Sequence, residues 1–298
     1  NEYNLPDQLF ETSDINNHFE TDPLWVEIWQ SRIIEIITLC LGLLLLTVAF
    51  VRQQDISKRV KGFHRFRWAF LFFTLFFIGF SAQGQLSVIN IYTLLLEITN
   101  GFSLEFFLLD PIIFILWAYT AISLLLWGRG LFCGWLCPFG ALQEMVAWIA
   151  AKLKIRQLKI PATINKKLLA IKYLILMMLI AAAFYSTSLA EKLAEVEPFK
   201  TSITFFFVQS WPFVMYALLL LGLGLFIHKF YCRYVCPLGA GLAILGRFRR
   251  FEWLNRRTEC GTPCQVCRIK CGINAIDRQG DINYDECIQC LECIVIIN

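Results

Sequence analysis

The sequence predicts an all-α polytopic membrane protein with five transmembrane helices, an internal two-span repeat, and a small cysteine-rich α+β domain on the cytoplasmic side. Three observations predict it. Apolar residues make up 57% of the 298 positions, and mean hydropathy is +0.59, above the apolar share of roughly 45–50% in soluble domains. A ten-residue motif with two cysteines occurs twice, 99 positions apart. Seven of the twelve cysteines crowd into residues 260–293.

The spans read at about 33–51, 68–88, 111–128, 168–187 and 209–228, each near the ~20 residues that cross a bilayer as a helix. Lysine and arginine set the orientation. Nineteen of them fall in 52–67, 152–167 and 229–257, against Arg32, Lys192 and Lys200 in 1–32, 89–110 and 188–208. The basic side is expected to be cytoplasmic, in the bacterial inner membrane. Residues 1–32 then form a periplasmic linker, 33–250 the transmembrane domain and 251–298 a cytoplasmic domain.

Local signals fit these boundaries. Asp110-Pro111 is an N-cap followed by proline at the first helical position. Ser188 with Glu191 reads as a capping box for a short outer helix. A second outer helix, about 91–99, should end at Asn100-Gly101.

FCGWLCPFGA (132–141) and YCRYVCPLGA (231–240) share five of ten positions. Each follows a span and precedes an amphipathic stretch, marked by Leu142, Met145, Val146, Ile149 and Leu153 in the first copy and Leu242, Leu245 and Phe248 in the second. Both stretches are expected to lie on the inner leaflet. The repeats run about 68–150 and 168–249. Paired repeats place equivalent elements face to face, so Cys133, Cys137, Cys232 and Cys236 should meet at the cytoplasmic membrane surface. Pro138 and Pro237 can each open a helix, leaving free N–H groups beside Cys137 and Cys236 that favour negative charge. Four such thiolates suit an iron–sulfur or soft-metal centre; a redox-active thiol pair and buried structural cysteines are the alternatives.

Cys260, Cys264, Cys267 and Cys271 are spaced C-x3-C-x2-C-x3-C, and Cys287, Cys290 and Cys293 are spaced C-x2-C-x2-C. Between them, INAIDRQGDINYDEC reads as two short strands turning at Gln279-Gly280. This is the layout of a two-cluster ferredoxin, in which the last cysteine of each run ligates the other cluster. Zinc competes for C-x2-C pairs, but seven cysteines with no histidine nearby favour two [4Fe-4S] clusters. Cys271, Cys287, Cys290 and Cys293 complete one. Cys260, Cys264 and Cys267 lack a fourth ligand within the chain. Gly272 stands where proline usually follows the fourth cysteine, and Ile297 where a further cysteine would fall.

FCGWLCPFGALQE, YCRYVCPLGAG, ECGTPCQVCRIKC and DECIQCLEC together resemble the NosR/NirI family of membrane iron–sulfur flavoproteins, over roughly residues 24–298. The resemblance implies electron supply to periplasmic nitrous oxide reductase, for its activity or maturation, with the quinol pool as a plausible donor. It also implies an FMN-bearing periplasmic domain ahead of these spans. The chain starts at Asn1 without such a domain and reads as a fragment, truncated again after Asn298.

Copper handling at the twin CxxxCP, and redox sensing through conformation, are the competing functions. Arg129 is positioned to balance cluster charge, and His228 to tune the Cys232 site. Cys40 reads as packing, and Glu35 and Lys172 as residues snorkelling from span ends. No phosphate loop, hydrolase triad or zinc-protease motif appears in the chain. The basic stretches flank spans and need no nucleic acid; the bilayer is their partner.

Overall fold

The computed structural model describes residues 24–100, 108–158, 160–251 and 264–297. Cys260 therefore lies outside the described residues. Ile33–Val51 is helical because nineteen residues pass without proline and with one charge, Glu35, in the first turn. Leu39, Leu43 and Leu46 pack inward, while Ile34, Leu41 and Leu44 stay exposed, as on a helix that faces lipid. Arg32 pairs with Glu35 at 2.7 Å and Asp110 at 3.2 Å, so Glu35 is held at the span's start by a partner.

Among the described residues, three helices are long and apolar enough to cross a membrane: Ile33–Val51, Val60–Ser81 and Thr163–Tyr185. The second differs from the expected 68–88. It starts eight residues earlier, because Arg67 is buried against the cysteine-rich domain and the helix continues above the apolar zone to carry it. The other two expected spans fall on shorter apolar helices of sixteen residues, Pro111–Leu126 and Trp211–Phe226, about 24 Å long at 1.5 Å per residue, short of the ~30 Å hydrocarbon core. Asp110 starts the first, accepting hydrogen bonds from the Ile112 and Ile113 amides at 3.1 and 3.4 Å. Gly128, at φ 88, stops it.

Each CxxxCP turns the chain back inward. The first runs as a π-helical turn, Phe132–Leu136, into Pro138–Lys152; the second as Phe230–Tyr234 into Pro237–Leu245. Pro138–Lys152 exposes Trp148, Ile149 and Leu153, in keeping with an interfacial helix. The expected apolar face of the second stretch splits: Leu245 and Phe248 are exposed, while Leu242 is buried. Residues Pro237 through Ala243 are all buried, because Gly239, Ala240 and Gly241 let neighbouring helices approach. A Cβ on Gly241 would stand 2.8 Å from Ile91 on the Val88–Asn100 helix.

Two further expectations need correction. The short outer helix is Thr187–Leu193, capped at Ser186 without a side-chain hydrogen bond, so Ser188 and Glu191 form no capping box. Where two strands were expected, the described residues hold one isolated antiparallel bridge, Ile276 to Ile282, around Gly280 at φ 94. The intervening residues are too few and too polar to build a ladder, so the α+β description reduces to helices and one bridged turn.

Candidate metal centres

The twin motifs build two matching corners. Cys137 is the N-cap of the helix opened by Pro138, and its sulfur accepts from the Gly140 amide at 3.4 Å. Cys236 does the same before Pro237, accepting from Gly239 at 3.2 Å. Cys137, Cys232 and Cys236 pack against one core group, with Phe139, Leu220 and Tyr231. Cys137 lies close enough to Cys232 and Cys133 for each charge to oppose the others. Three of the four cysteines thus share one core group, and Cys133 packs instead with Cys137 and Cys236 in the neighbouring one. Burial pushes the Cys232 thiol up to about 12.

The cysteine-rich segment winds tightly. Gln289 (φ 47) and Leu291 (φ 62) adopt left-handed backbone between Cys287, Cys290 and Cys293, and Asn274 (φ 51) does so after Cys271. Alternation of this kind turns successive N–H groups into one concavity, as at many iron–sulfur sites. The Gln289 amide accordingly donates to the Cys287 sulfur at 3.4 Å. Cys267, Cys271, Cys287, Cys290 and Cys293 line one cavity of about 640 Å³. Burial pushes the Cys287 thiol up to about 12, with Cys290 adding to it. Among the described residues no three His, Cys, Asp or Glu side chains converge as a single ion requires; a cluster with a thiolate at each corner takes ligands spread further apart.

The two cysteine sites touch. A Cβ on Gly134, inside the first CxxxCP, would stand 2.0 Å from the Ile288 carbonyl oxygen; one on Gly130 would stand 2.9 Å from that of Cys287. Cys133 shares a core group with Cys271, Cys287 and Cys290. Trp135 fastens the joint. Its ring sits among Phe50, Phe63, Phe66 and Phe70, and its Nε1 donates to the Gln289 carbonyl at 3.0 Å. Gln289 Nε2 donates to the Trp127 carbonyl at 2.5 Å.

The residues 258–298 match the family model described as NosR, and 109–156 and 209–257 both match the model described as 4Fe-4S binding domain. Regulatory protein NosR of Stutzerimonas stutzeri is 51% identical over 271 residues, covering 91% of this chain and 37% of that protein. Protein NirI of Paracoccus denitrificans is 46% identical over 276 residues, 93% of this chain and 40% of that one. The "Putative electron transport protein YccM" of Escherichia coli is 30% identical over 183 residues, 59% of this chain and 50% of that one. No solved structure matches.

The chain belongs to the NosR/NirI family. It spans about two-fifths of the length of its NosR and NirI relatives. Both CxxxCP segments fall within iron–sulfur-type matches, so the internal repeat is a repeat of that module.

The charges around the cysteines fit anionic clusters. Among the described residues, Arg67, Arg129, Lys172, Lys229 and Arg233 are buried basic residues. Two carboxylates face them. Glu286 meets Lys172 at 2.6 Å and Arg129 at 3.6 Å. Glu144 meets Arg67 and Lys229 at 3.1 Å each, and His228 at 3.6 Å. Burial opposes its ionisation, but Lys229 and Arg67 hold Glu144 well below the usual carboxylate range. Arg67 also donates to the Cys290 carbonyl. Positive charge thus exceeds the protein's own negative charge here. Buried cations are costly unless paired, and thiolate-bound clusters would supply the missing anions.

Several expectations change at this site. Lys172 does not snorkel; it is wholly buried on Glu286, because the cysteine-rich domain covers that end of the helix. Arg129 holds Glu286 and the Gly239 carbonyl, at 3.0 Å, rather than reaching out from the first motif alone. His228 faces Glu144 and packs on Gly272, where an added Cβ would lie 3.3 Å from its ring. That explains the glycine in place of proline after Cys271. The sequence reading missed Glu144 and Glu286, although both are acids within or beside cysteine motifs. It also missed Gln143, fully buried, whose Oε1 accepts from the Cys232 amide at 3.4 Å.

Proposed function

We propose that the protein is a membrane-embedded electron-transfer protein of denitrification, linking the quinol pool to periplasmic nitrous oxide reductase for that enzyme's activity or maturation. The contact between the two cysteine sites carries this reading. Gly134 against Ile288, with Cys133 beside Cys287 and Cys290, brings together two motifs whose cysteines Cys133 and Cys287 lie 154 positions apart. When bound, iron–sulfur clusters supply one-electron chemistry at potentials set by hydrogen bonds and charge near their sulfurs.

Cys271, Cys287, Cys290 and Cys293 are assigned to one [4Fe-4S] cluster, and Cys264 and Cys267, with Cys260, to a second. Cys133, Cys137, Cys232 and Cys236 are assigned to a third iron–sulfur centre. Arg67, Arg129, Lys172 and Lys229 hold those anionic sites in place. The five-span arrangement, with the N-terminal side periplasmic and the cysteine-rich domain cytoplasmic in the inner membrane, is part of the same proposal. The basic loops support it. FMN belongs to the periplasmic domain that the family's full-length members carry.

Metal analysis tests the assignment. Three clusters correspond to about 12 iron atoms with matching sulfide, and two to about 8. One tightly bound copper, lost in Cys133→Ala, would replace this reading with copper handling. Quinol should bleach the cluster absorbance of protein carrying its flavin domain; a spectrum that quinol leaves unchanged removes the quinol link.

A further inference from the structure

The chain between Ala162–Tyr185 and Trp211–Phe226 was expected on the outer surface. Part of it dips inward. Ile203, in the π-helical turn Lys200–Thr204, is buried in the core group against which Cys137, Cys232 and Cys236 pack. A Cβ on Gly79 would lie 3.0 Å from Pro138 and 3.4 Å from Ile203, so this turn reaches the first CxxxCP helix.

Glu197 travels with it and is 2% exposed. Ser87 Oγ donates to its Oε2 at 2.6 Å, and the Val88 amide to its Oε1 at 3.1 Å. No lysine or arginine is among the groups acting on it. Val88, whose amide holds Glu197, packs in one core group with Ala240 of the second motif, and the Glu197 charge opposes ionisation of Cys236. The other groups that face it are Tyr92 on Val88–Asn100, which Glu191 also influences, and Tyr231 beside the second motif. Tyr216 donates to the adjoining Val196 carbonyl at 3.2 Å. A buried carboxylate without a cation is poorly stabilised, and burial pushes Glu197 up to about 7. An added electron nearby raises its proton affinity further.

We propose that Glu197 is the proton acceptor coupled to reduction of the centre held by Cys133, Cys137, Cys232 and Cys236. This rests on the reading of those cysteines as a redox centre. One electron enters the centre from the clusters assigned to the cysteine-rich domain, and the Glu197 carboxylate takes one proton from water. On reoxidation the electron leaves to the acceptor and the acid releases that proton. Only the O–H bond forms and breaks.

Redox titration of the purified protein tests this, followed through the spectroscopic signal that Cys137→Ala abolishes. The midpoint should fall with rising pH by up to about 59 mV per unit for a one-electron, one-proton couple, and become flat in Glu197→Gln at unchanged iron content. Ser87→Ala, which removes a donor that favours the carboxylate, should move the pH-dependent region upward. It decides the matter where Glu197→Gln fails to assemble. A flat wild-type profile, or a slope that survives in Glu197→Gln, overturns the proposal. Normal iron in the C-terminal clusters with no Cys137-dependent signal overturns the redox reading of the twin site, and this proposal with it.

Discussion

Gly134 decides whether the two cysteine sites can join. A methyl group there would meet backbone, the Ile288 carbonyl at 2.0 Å, which cannot swing aside as a side chain can. Gly134→Ala should therefore undock the Cys287–Cys293 loop, lowering bound iron and exposing residues 264–297 to protease. Gly222→Ala is the control, since nothing lies within 4 Å of a Cβ there. Lys172 is a second decisive residue. Lys172→Met leaves Glu286 buried with Arg129 at 3.6 Å as its remaining cation. The expected loss is about 3–5 kcal/mol, read by denaturant unfolding in detergent, with partial recovery in Lys172→Met combined with Glu286→Gln. Loss of one cluster ligand, Cys271→Ala, should remove about four irons from the protein, checked by metal analysis.

At the scale of elements, termini and close contacts carry the specificity. Asp110 caps Pro111–Leu126 through two amides, as its place before proline suggests. Asp110→Ala should cost about 0.5–2 kcal/mol and also release Arg32, measurable as a lower unfolding midpoint. The cysteines that precede Pro138 and Pro237 are themselves caps, so the same local geometry both starts a helix and aims N–H groups at sulfur. Pro237–Leu245 shows where periodicity misleads. Of the expected face, Leu245 and Phe248 are exposed, while Leu242 and the small residues Gly239, Ala240 and Gly241 are buried. Small residues are weakly hydrophobic and leave little imprint on a pattern, although they permit the closest packing.

For the whole molecule, the charge asymmetry of the loops argues one orientation. Alkaline phosphatase fused after Leu193 should be active, and fused after Lys154 inactive; the reverse result would invert the proposed topology. The inward turn at Lys200–Thr204 alters how that topology works. The expected arrangement left cytoplasmic clusters separated from the outer face by ~30 Å of hydrocarbon, with nothing between. The structure puts the twin cysteines in one core with Ile203, a residue of the outer connection, and in contact through Gly134 with the cysteine-rich segment.

By itself the sequence determined the chemistry: membrane helices from long apolar runs, a repeated CxxxCP, cysteines at cluster-ligand spacing, and caps at Asp110, Pro138 and Pro237. These are local signals, written within one or two helical turns. Only the tertiary structure decided which of them meet. Lys172 finds Glu286 114 positions away, Arg67 finds Cys290 223 positions away, and Trp135 finds Gln289 across 154. A lysine near a span end looks alike whether it snorkels to water or is covered by another domain. The difference is set by packing between distant segments, where burying a charge is tolerable only if its partner arrives too.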